Sequence, residues 1–514
     1  MPMHKLAFTV PSGGQDTRRS LVLSGGGMRL SYQAGVLRAL EKEGLTFQHI
    51  DGTSGGSLNL SMLLCGLTPT EMCGRWESLD LARSVSLMPL KEYIQAAPVA
   101  LGSADGFVDY VYPHLGIDIG RLRAARGVEG TFNVFNYGRK VNEVVPHTDM
   151  TLDLLVAGMS LPGVMPPVST NGGIYLDSAF SRDANLMEAV RRGAEEIWLV
   201  WCLGNTDVYR GGLLNIYVQM LEMAANASLN REFDQINELN ARIEAGDSPY
   251  GQKNAIRLHV IRPPTPLPLD PDLYLGKVSA STLIARGYAD AMAYLDVSEP
   301  NGLPLTPETI MMTAAQPGIT FSETMEGPFA LDAEEPRIGR LDGERSGTSL
   351  AMHVTVEVRD LDRFVTDPNH SGTLVGTIDF APFGRAMPTG EGIFRLFSPA
   401  ENPGVKLMVY EVPFKHEGVD YYLAGRKEVH DDPGFDLWSD TTTLYTRLHR
   451  GSDTSGAVVG AGMLSLDAQA FMKVLTSIRA LDAGSPTEGL ALIARFGEFF
   501  AGELWKSYAR AGKR

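Results

Sequence analysis

Two glycine-rich turns, each entered by a short apolar run and left by a helical pattern, stand 29 residues apart between Gly25 and Ser54. No other feature of the sequence restricts the fold as much. The first turn is Leu21-Val-Leu-Ser-Gly25-Gly26-Gly27-Met28-Arg29, and the second is Ile50-Asp51-Gly52-Thr53-Ser54-Gly55-Gly56. That separation leaves room for one crossover helix. A right-handed β-α-β connection then sets both turns at the carboxyl edges of neighbouring parallel strands.

The residue types in these turns point to acyl chemistry. Consecutive glycines let the backbone bend tightly and expose N–H groups, and the helix start that follows favours an anion, such as a tetrahedral oxyanion. The spacing matches neither GxxxxGK[ST] nor GxGxxG, which disfavours a nucleotide phosphate. In the second turn Gly52, Ser54 and Gly56 form Gly-x-Ser-x-Gly, and Gly55 extends the glycine run. Such spacing permits a strained strand-to-helix corner that presents a hydroxyl at a helix N-terminus. N–H groups near Gly26 and Gly27 would face the carbonyl attacked by Ser54, a contribution of about 3 kcal/mol per donor. A common α/β-hydrolase has its elbow much later in the chain, followed in order by Asp and His.

Gly25-Gly26-Gly27-Met28-Arg29 and Gly52-Thr53-Ser54-Gly55-Gly56 resemble the two N-terminal motifs of the patatin-like phospholipase family over residues of about 18 to 300. The resemblance implies a layered α/β domain and a Ser-Asp dyad without histidine, with Ser54 as nucleophile. The matching aspartate is Asp177, in Gly173-Ile-Tyr-Leu-Asp177-Ser178-Ala179, preceded by a Pro-Pro-Val tract and followed by Asn185. Gly25, Gly26, Gly27 and Arg29 would form the oxyanion loop, with Gly52, Gly55 and Gly56 shaping the elbow. Arg29 either orders that loop or makes a surface salt bridge at the helix start. Ser178 departs from the family, which has glycine there, so the turn after Asp177 either takes a different φ or is held with modest strain. Asp183 is the rival carboxylate, with a helix-capping role as its ordinary reading.

Further along, the pattern reads as an α/β domain over 18–298 with a mainly parallel sheet. Strands are expected at Leu21–Ser24, His49–Gly52, Phe132–Asn136, Ile174–Asp177, Ile197–Cys202 and Ile256–Ile261. Helices are expected at Leu30–Glu43, Ser57–Cys65, Leu152–Ser160, Leu186–Arg192, Leu213–Ile243 with a break, and Ala280–Leu295. Met220 to Met223 are expected in the helix core. A Pro-, Gly- and acid-rich tract over 299–345 reads as a linker or lid.

From 346 to 514 the period changes to two, in Met352–Arg359, Gly372–Phe380, Ile393–Phe397, Lys406–Val412 and Tyr421–Ala424. These predict an antiparallel β-rich domain, a sandwich or open barrel, closed by helices at Ala468–Leu481 and Glu488–Tyr508. Phe394, Phe397, Tyr410, Tyr421, Tyr422 and Trp438 are its expected core, with the wall of a lipid-binding cavity as the alternative. The stretch from Lys427 to Trp438 is faintly similar to a β-rich module of lipid- or sterol-related oxidoreductases, which implies only a lipid context.

A net charge of −16 without a Lys/Arg run argues against nucleic acid. It also disfavours electrostatic docking on anionic membranes, so transient contact with lipid would use an apolar patch or the extraction of single molecules. Cys65, Cys73 and Cys202 have no metal-ligand spacing, no His/Cys cluster suggests zinc, and no cofactor motif is present. His259, inside an apolar strand, is expected to be structural. The first twenty residues lack the apolar core of a secretory signal, so a cytoplasmic location is expected. The sequence therefore predicts a serine hydrolase of acyl lipids, with a lipid-binding protein or an acyltransferase on the same scaffold as alternatives.

Overall fold

The computed structural model describes residues 8, 17–84, 99–274, 278–400, 402, 405–430 and 442–509. The chain divides into two compact units, Met1–Ala314 and Ala315–Arg514.

The first unit is built on an eight-stranded sheet. Its strands are β1 (Arg19–Leu23), β2 (His49–Thr53), β3 (Glu129–Asn136), β4 (Val141–Pro146), β5 (Val168–Thr170), β6 (Gly173–Asp177), β7 (Glu196–Val200) and β8 (Arg257–Ile261). The parallel run is β8-β7-β1-β2-β3. Leu21, Val22 and Leu23 are wholly buried because both faces of a parallel strand are covered by helices. Helix α1 (Ser31–Lys42) is the single crossover between the two glycine turns, and α2 (Gly56–Leu64) follows the second.

The antiparallel part decides where the site lies. Strand β4 pairs along one edge of β3, from Thr131 to Asn136. On the other edge β2 pairs as far as Thr53, opposite Asn133. At the next rung β6 takes over, with Asp177 opposite Val134. Strands β2 and β6 therefore meet end to end against β3, with their carboxyl termini facing each other.

Three further helices matter: α3 (Leu186–Arg191), α4 (Leu213–Glu244) and α5 (Ala280–Val297). Helix α4 runs unbroken for 32 residues, contrary to the expected break, because no Gly or Pro interrupts it. Its Leu221, Ala225, Leu229, Phe233 and Ile236 are buried at helical spacing. Met220 and Met223, expected in the core, are exposed, because the buried stripe passes through Leu221 between them.

In the second unit eight antiparallel strands close on themselves: β9 (Gly318–Leu331), β10 (Ser349–Val358), β11 (Ser371–Phe380), β13 (Gly392–Pro399), β14 (Val405–His416), β15 (Val419–His430), β16 (Thr443–Arg450) and β17 (Ala457–Ser465). Strand β9 pairs with both β10 and β17, which closes the ring. Two short strands, β12 (Gly384–Pro388) and β18 (Arg479–Leu481), pair with β11 and β9. Helices α6 (Pro336–Ser346), α7 (Ala468–Ser477) and α8 (Pro486–Ala509), with a short helix at Leu361–Thr366, complete the unit.

The expected sandwich or open barrel is thus a closed one, since closure leaves no long unpaired edge. The closing strand comes from the 299–345 tract read as linker or lid. Its alternation of Ile319, Phe321 and Met325 with Ser322, Thr324 and Glu326 is strand-like. Inward-facing Glu323 and the Gly327-Pro328 pair hide it. Glu323 is buried with Lys427 at 3.0 Å and accepts the Tyr410 hydroxyl at 2.9 Å. Phe394, Phe397, Tyr410 and Tyr422 are buried and Tyr421 is partly so, whereas Trp438 lies outside the described residues.

Candidate active site

Ser54 occupies the corner between β2 and α2, with φ of 50°. A non-glycine residue held there marks a strained turn over-determined by its surroundings. The corner is tight because α2 starts directly against β1: a Cβ on Gly56 would stand 2.3 Å from the Leu23 carbonyl. Ser54 Oγ donates to Asp177 Oδ2 at 2.6 Å. Asp177 Oδ1 accepts the Ala179 N–H at 2.9 Å, which fixes the rotation of the carboxylate. Both residues are buried. Burial raises the Asp177 carboxyl to about 7, against the lowering effect of its two hydrogen bonds.

Ser178 requires no glycine. Its φ is not positive, and its carbonyl accepts the N–H groups of Ser181 and Arg182, so the turn after Asp177 is an ordinary one. Of the two expectations for this departure, strain is the one not met.

The glycine loop lies beside the serine. A Cβ on Gly25 would fall 2.9 Å from Ser54 Cβ and 2.2 Å from Asp183 Oδ1. The Gly25 N–H is already taken, donating to Asp183 Oδ2 at 3.0 Å, so Gly25 serves close approach rather than anion binding. Met28 N–H donates to the Asp270 carboxylate at 3.2 Å. The N–H groups of Gly26 and Gly27 have no partner among the described residues. Arg29 is buried, its Nε donating to the Gly26 carbonyl at 2.8 Å and lying 3.7 Å from Asp270. Of the two readings of Arg29, its geometry matches loop ordering.

Asp183 is not hydrogen-bonded to Ser54, and it does not cap α3; Asn185 does, accepting the Glu188 N–H at 3.1 Å. Burial, and next the Asp177 charge, push the Asp183 carboxyl well above the usual range. Among the described residues its Oδ1 has no partner.

Beneath the dyad runs a buried polar network that the sequence gives no means of finding. Asn133 Nδ2 donates to Asp51 Oδ1 at 2.7 Å and to Thr53 Oγ1 at 2.9 Å, while its Oδ1 accepts Asn185 Nδ2 at 2.7 Å. Asp51 Oδ2 also accepts the Thr131 hydroxyl at 2.6 Å. Burial holds His49 neutral, lowered to about 3, between Ser20 and Thr131. His259 is structural as expected, stacked on Trp198 at 4.3 Å and bonded to Tyr294. Among the described residues no histidine nitrogen reaches Ser54 or Asp177, and no group of three His, Cys, Asp or Glu side chains is arranged to hold a metal ion.

Residues 21–190 match the family model described as Patatin-like phospholipase. The chain carries a patatin-like phospholipase domain. Lysophospholipase NTE1 of Kluyveromyces lactis is 28% identical over 187 residues, 35% of this chain and 12% of that protein. Lysophospholipase nte1 of Aspergillus niger is 26% identical over 313 residues, 56% of this chain and 19% of that protein. The match with these relatives therefore spans less than a fifth of their length. Among solved structures, VipD from Legionella pneumophila aligns with a TM-score of 0.31 at 13% identity, covering 56% of this chain and 67% of that one. Among the described residues no helix is long and apolar enough to cross a membrane.

Proposed function

We propose that the patatin-like unit is a serine acyl hydrolase that cleaves acyl esters of lipids through Ser54 and Asp177. The observation that carries this reading is the 2.6 Å hydrogen bond from a positive-φ serine to a buried carboxylate. Asp177 takes the Ser54 proton as Oγ attacks the ester carbonyl. The oxyanion is received by the free N–H groups of Gly26 and Gly27, whose loop Arg29 braces. As the intermediate collapses the ester C–O bond breaks, and Asp177 returns the proton to the leaving alcohol. Water, deprotonated by Asp177, then hydrolyses the acyl-enzyme and regenerates Ser54. A carboxylate is a weak base for a hydroxyl, so burial, which raises its proton affinity, supports the role.

The names of the relatives point to lysophospholipids within this substrate class. Three free, buried thiols fit a reducing compartment. The alternative of a lipid-binding protein loses its motive, since Ser178 sits without strain. The test is release of p-nitrophenol from short and long acyl esters, together with labelling by a fluorophosphonate. Loss of both in Ser54→Ala is the expected result, and an unchanged rate overturns the proposal. Product analysis with alcohol acceptors separates hydrolysis from acyl transfer.

A further inference from the structure

Helix α4 changes character along its length. From Leu221 onward it is amphipathic, with a buried stripe and the charges Glu222, Arg231, Glu232, Asp234, Glu238, Arg242 and Glu244. Its first eight residues, Leu213-Leu-Asn-Ile-Tyr-Val-Gln-Met220, contain no charge, and none is buried. Leu213 is 89% exposed, and Tyr209 in the preceding loop 70%. At 3.6 residues per turn, Leu213, Leu214, Ile216, Tyr217, Val218 and Met220 cover more than half the helix circumference. Neutral Asn215 and Gln219 fill the rest. A segment apolar over so wide an arc is suited to immersion, whereas docking on one flat partner needs a single stripe.

This tip is fastened to the loops that hold the dyad. The Tyr217 hydroxyl donates to the Pro162 carbonyl at 2.6 Å, and its ring meets Phe180 edge-on at 5.7 Å. Phe180 lies three residues after Asp177, and Ser160, two before Pro162, accepts the Asp177 N–H at 3.1 Å. On the same loop Val164 is exposed, and Leu101, exposed too, donates its N–H to the Gly163 carbonyl at 3.0 Å. The apolar rim is therefore continuous with the structure around the nucleophile.

We propose that the first turns of α4, with Tyr209, form a membrane-docking element that enters the surface of an uncharged or zwitterionic lipid layer and brings the dyad to it. This rests on the hydrolase reading and adds the surface from which substrate is taken. The chain's net charge of −16, and Arg210 as the sole cation in 205–223, fit apolar insertion rather than attraction to anionic headgroups.

The test uses the full chain, phosphatidylcholine vesicles carrying p-nitrophenyl palmitate, and dissolved p-nitrophenyl butyrate. Leu213→Glu/Leu214→Glu is expected to lower both vesicle binding and palmitate turnover at least about tenfold, leaving butyrate turnover and oligomeric state unchanged. Tyr209→Glu, on a separate loop, is expected to act in the same direction. Wild-type protein that fails to sediment with the vesicles, or variants that bind as well as wild type, overturn the proposal. So does a vesicle affinity that depends on added phosphatidylglycerol, or a variant whose one change is dissociation of a dimer. Ser54→Ala should bind vesicles like wild type while hydrolysing neither ester. Normal turnover in Ser54→Ala would sink the catalytic reading and leave the docking result standing.

Discussion

Asn185 is joined to Asn133 by a hydrogen bond of 2.7 Å, from the residue that caps α3 to the residue paired with Thr53 in the sheet. The bond ties the helix start that follows Asp177 to β3, the strand paired with the one that leads into Ser54. Asn133 also supports Asp51 and Thr53, so one side chain couples three elements of the site. Asn133→Ala removes this coupling and leaves a buried carboxyl with one fewer donor. We expect kcat to fall about 10- to 100-fold with KM nearly unchanged, since a misplaced dyad affects the transition state more than binding. Steady-state kinetics and the rate of fluorophosphonate labelling check this. An unaltered labelling rate would deny the coupling.

The pH dependence follows from Asp177. In the proposed role of base it must be ionised, and burial raises its carboxyl to about 7. Activity should therefore rise as pH passes upward through about 7, with the acid form inactive. A pH–kcat/KM profile on a soluble ester measures it. A limb near the ordinary carboxylate value of about 4 would contradict the buried environment.

Stability should move the opposite way. A carboxyl whose folded pKa lies above its unfolded value favours folding fully below about pH 4, and loses that contribution as pH rises through about 7. Asp177→Asn removes this ionisable group. The variant should be inactive yet more stable than wild type, by an amount growing from about pH 4 to 7 and levelling at roughly 3–4 kcal/mol. Denaturant melts at pH 5 and 8 decide it, and a gain that shrinks with rising pH would refute it.

Asp177 and Asp183 are distinguishable by conservative replacement. Asp183 is buried, has no cation within salt-bridge distance among the described residues, and burial, followed by the Asp177 charge, pushes its carboxyl well above the usual range. Asparagine keeps an oxygen for the Gly25 N–H. Asp183→Asn should retain activity to within several-fold, whereas Asp177→Asn should lose at least about a thousandfold. The reverse ranking would exchange their roles.

Much of this architecture was legible from the chain. The parallel strands, the crossover between the glycine turns and the pairing of Ser54 with Asp177 all follow from apolar runs, glycine spacing and resemblance. What escaped depends on partners remote in sequence. Asn133 lies in Phe132-Asn-Val-Phe135, where nothing local announces that β2 and β6 meet on its edge. Gly25 carries the expected flexibility, but only coordinates reveal that Asp183 occupies its N–H. The closing strand of the barrel was hidden by Glu323 at an inward position, because an acid at a core position of an alternating run reads as a loop until its lysine is known.

That same Glu323 gives the last prediction. It faces Lys427 at 3.0 Å with both side chains almost wholly buried, and Tyr410 donates to its other oxygen. Glu323→Gln leaves the ammonium without a countercharge inside the barrel, which costs about 3–5 kcal/mol. Glu323→Leu with Lys427→Met removes both charges and, although the Tyr410 hydroxyl loses its acceptor, should recover most of that loss. Thermal melts of the full chain should show a large fall for the single variant and a smaller one for the pair, with butyrate hydrolysis per folded molecule unchanged. Equal falls would mean that the pair is held for shape rather than charge.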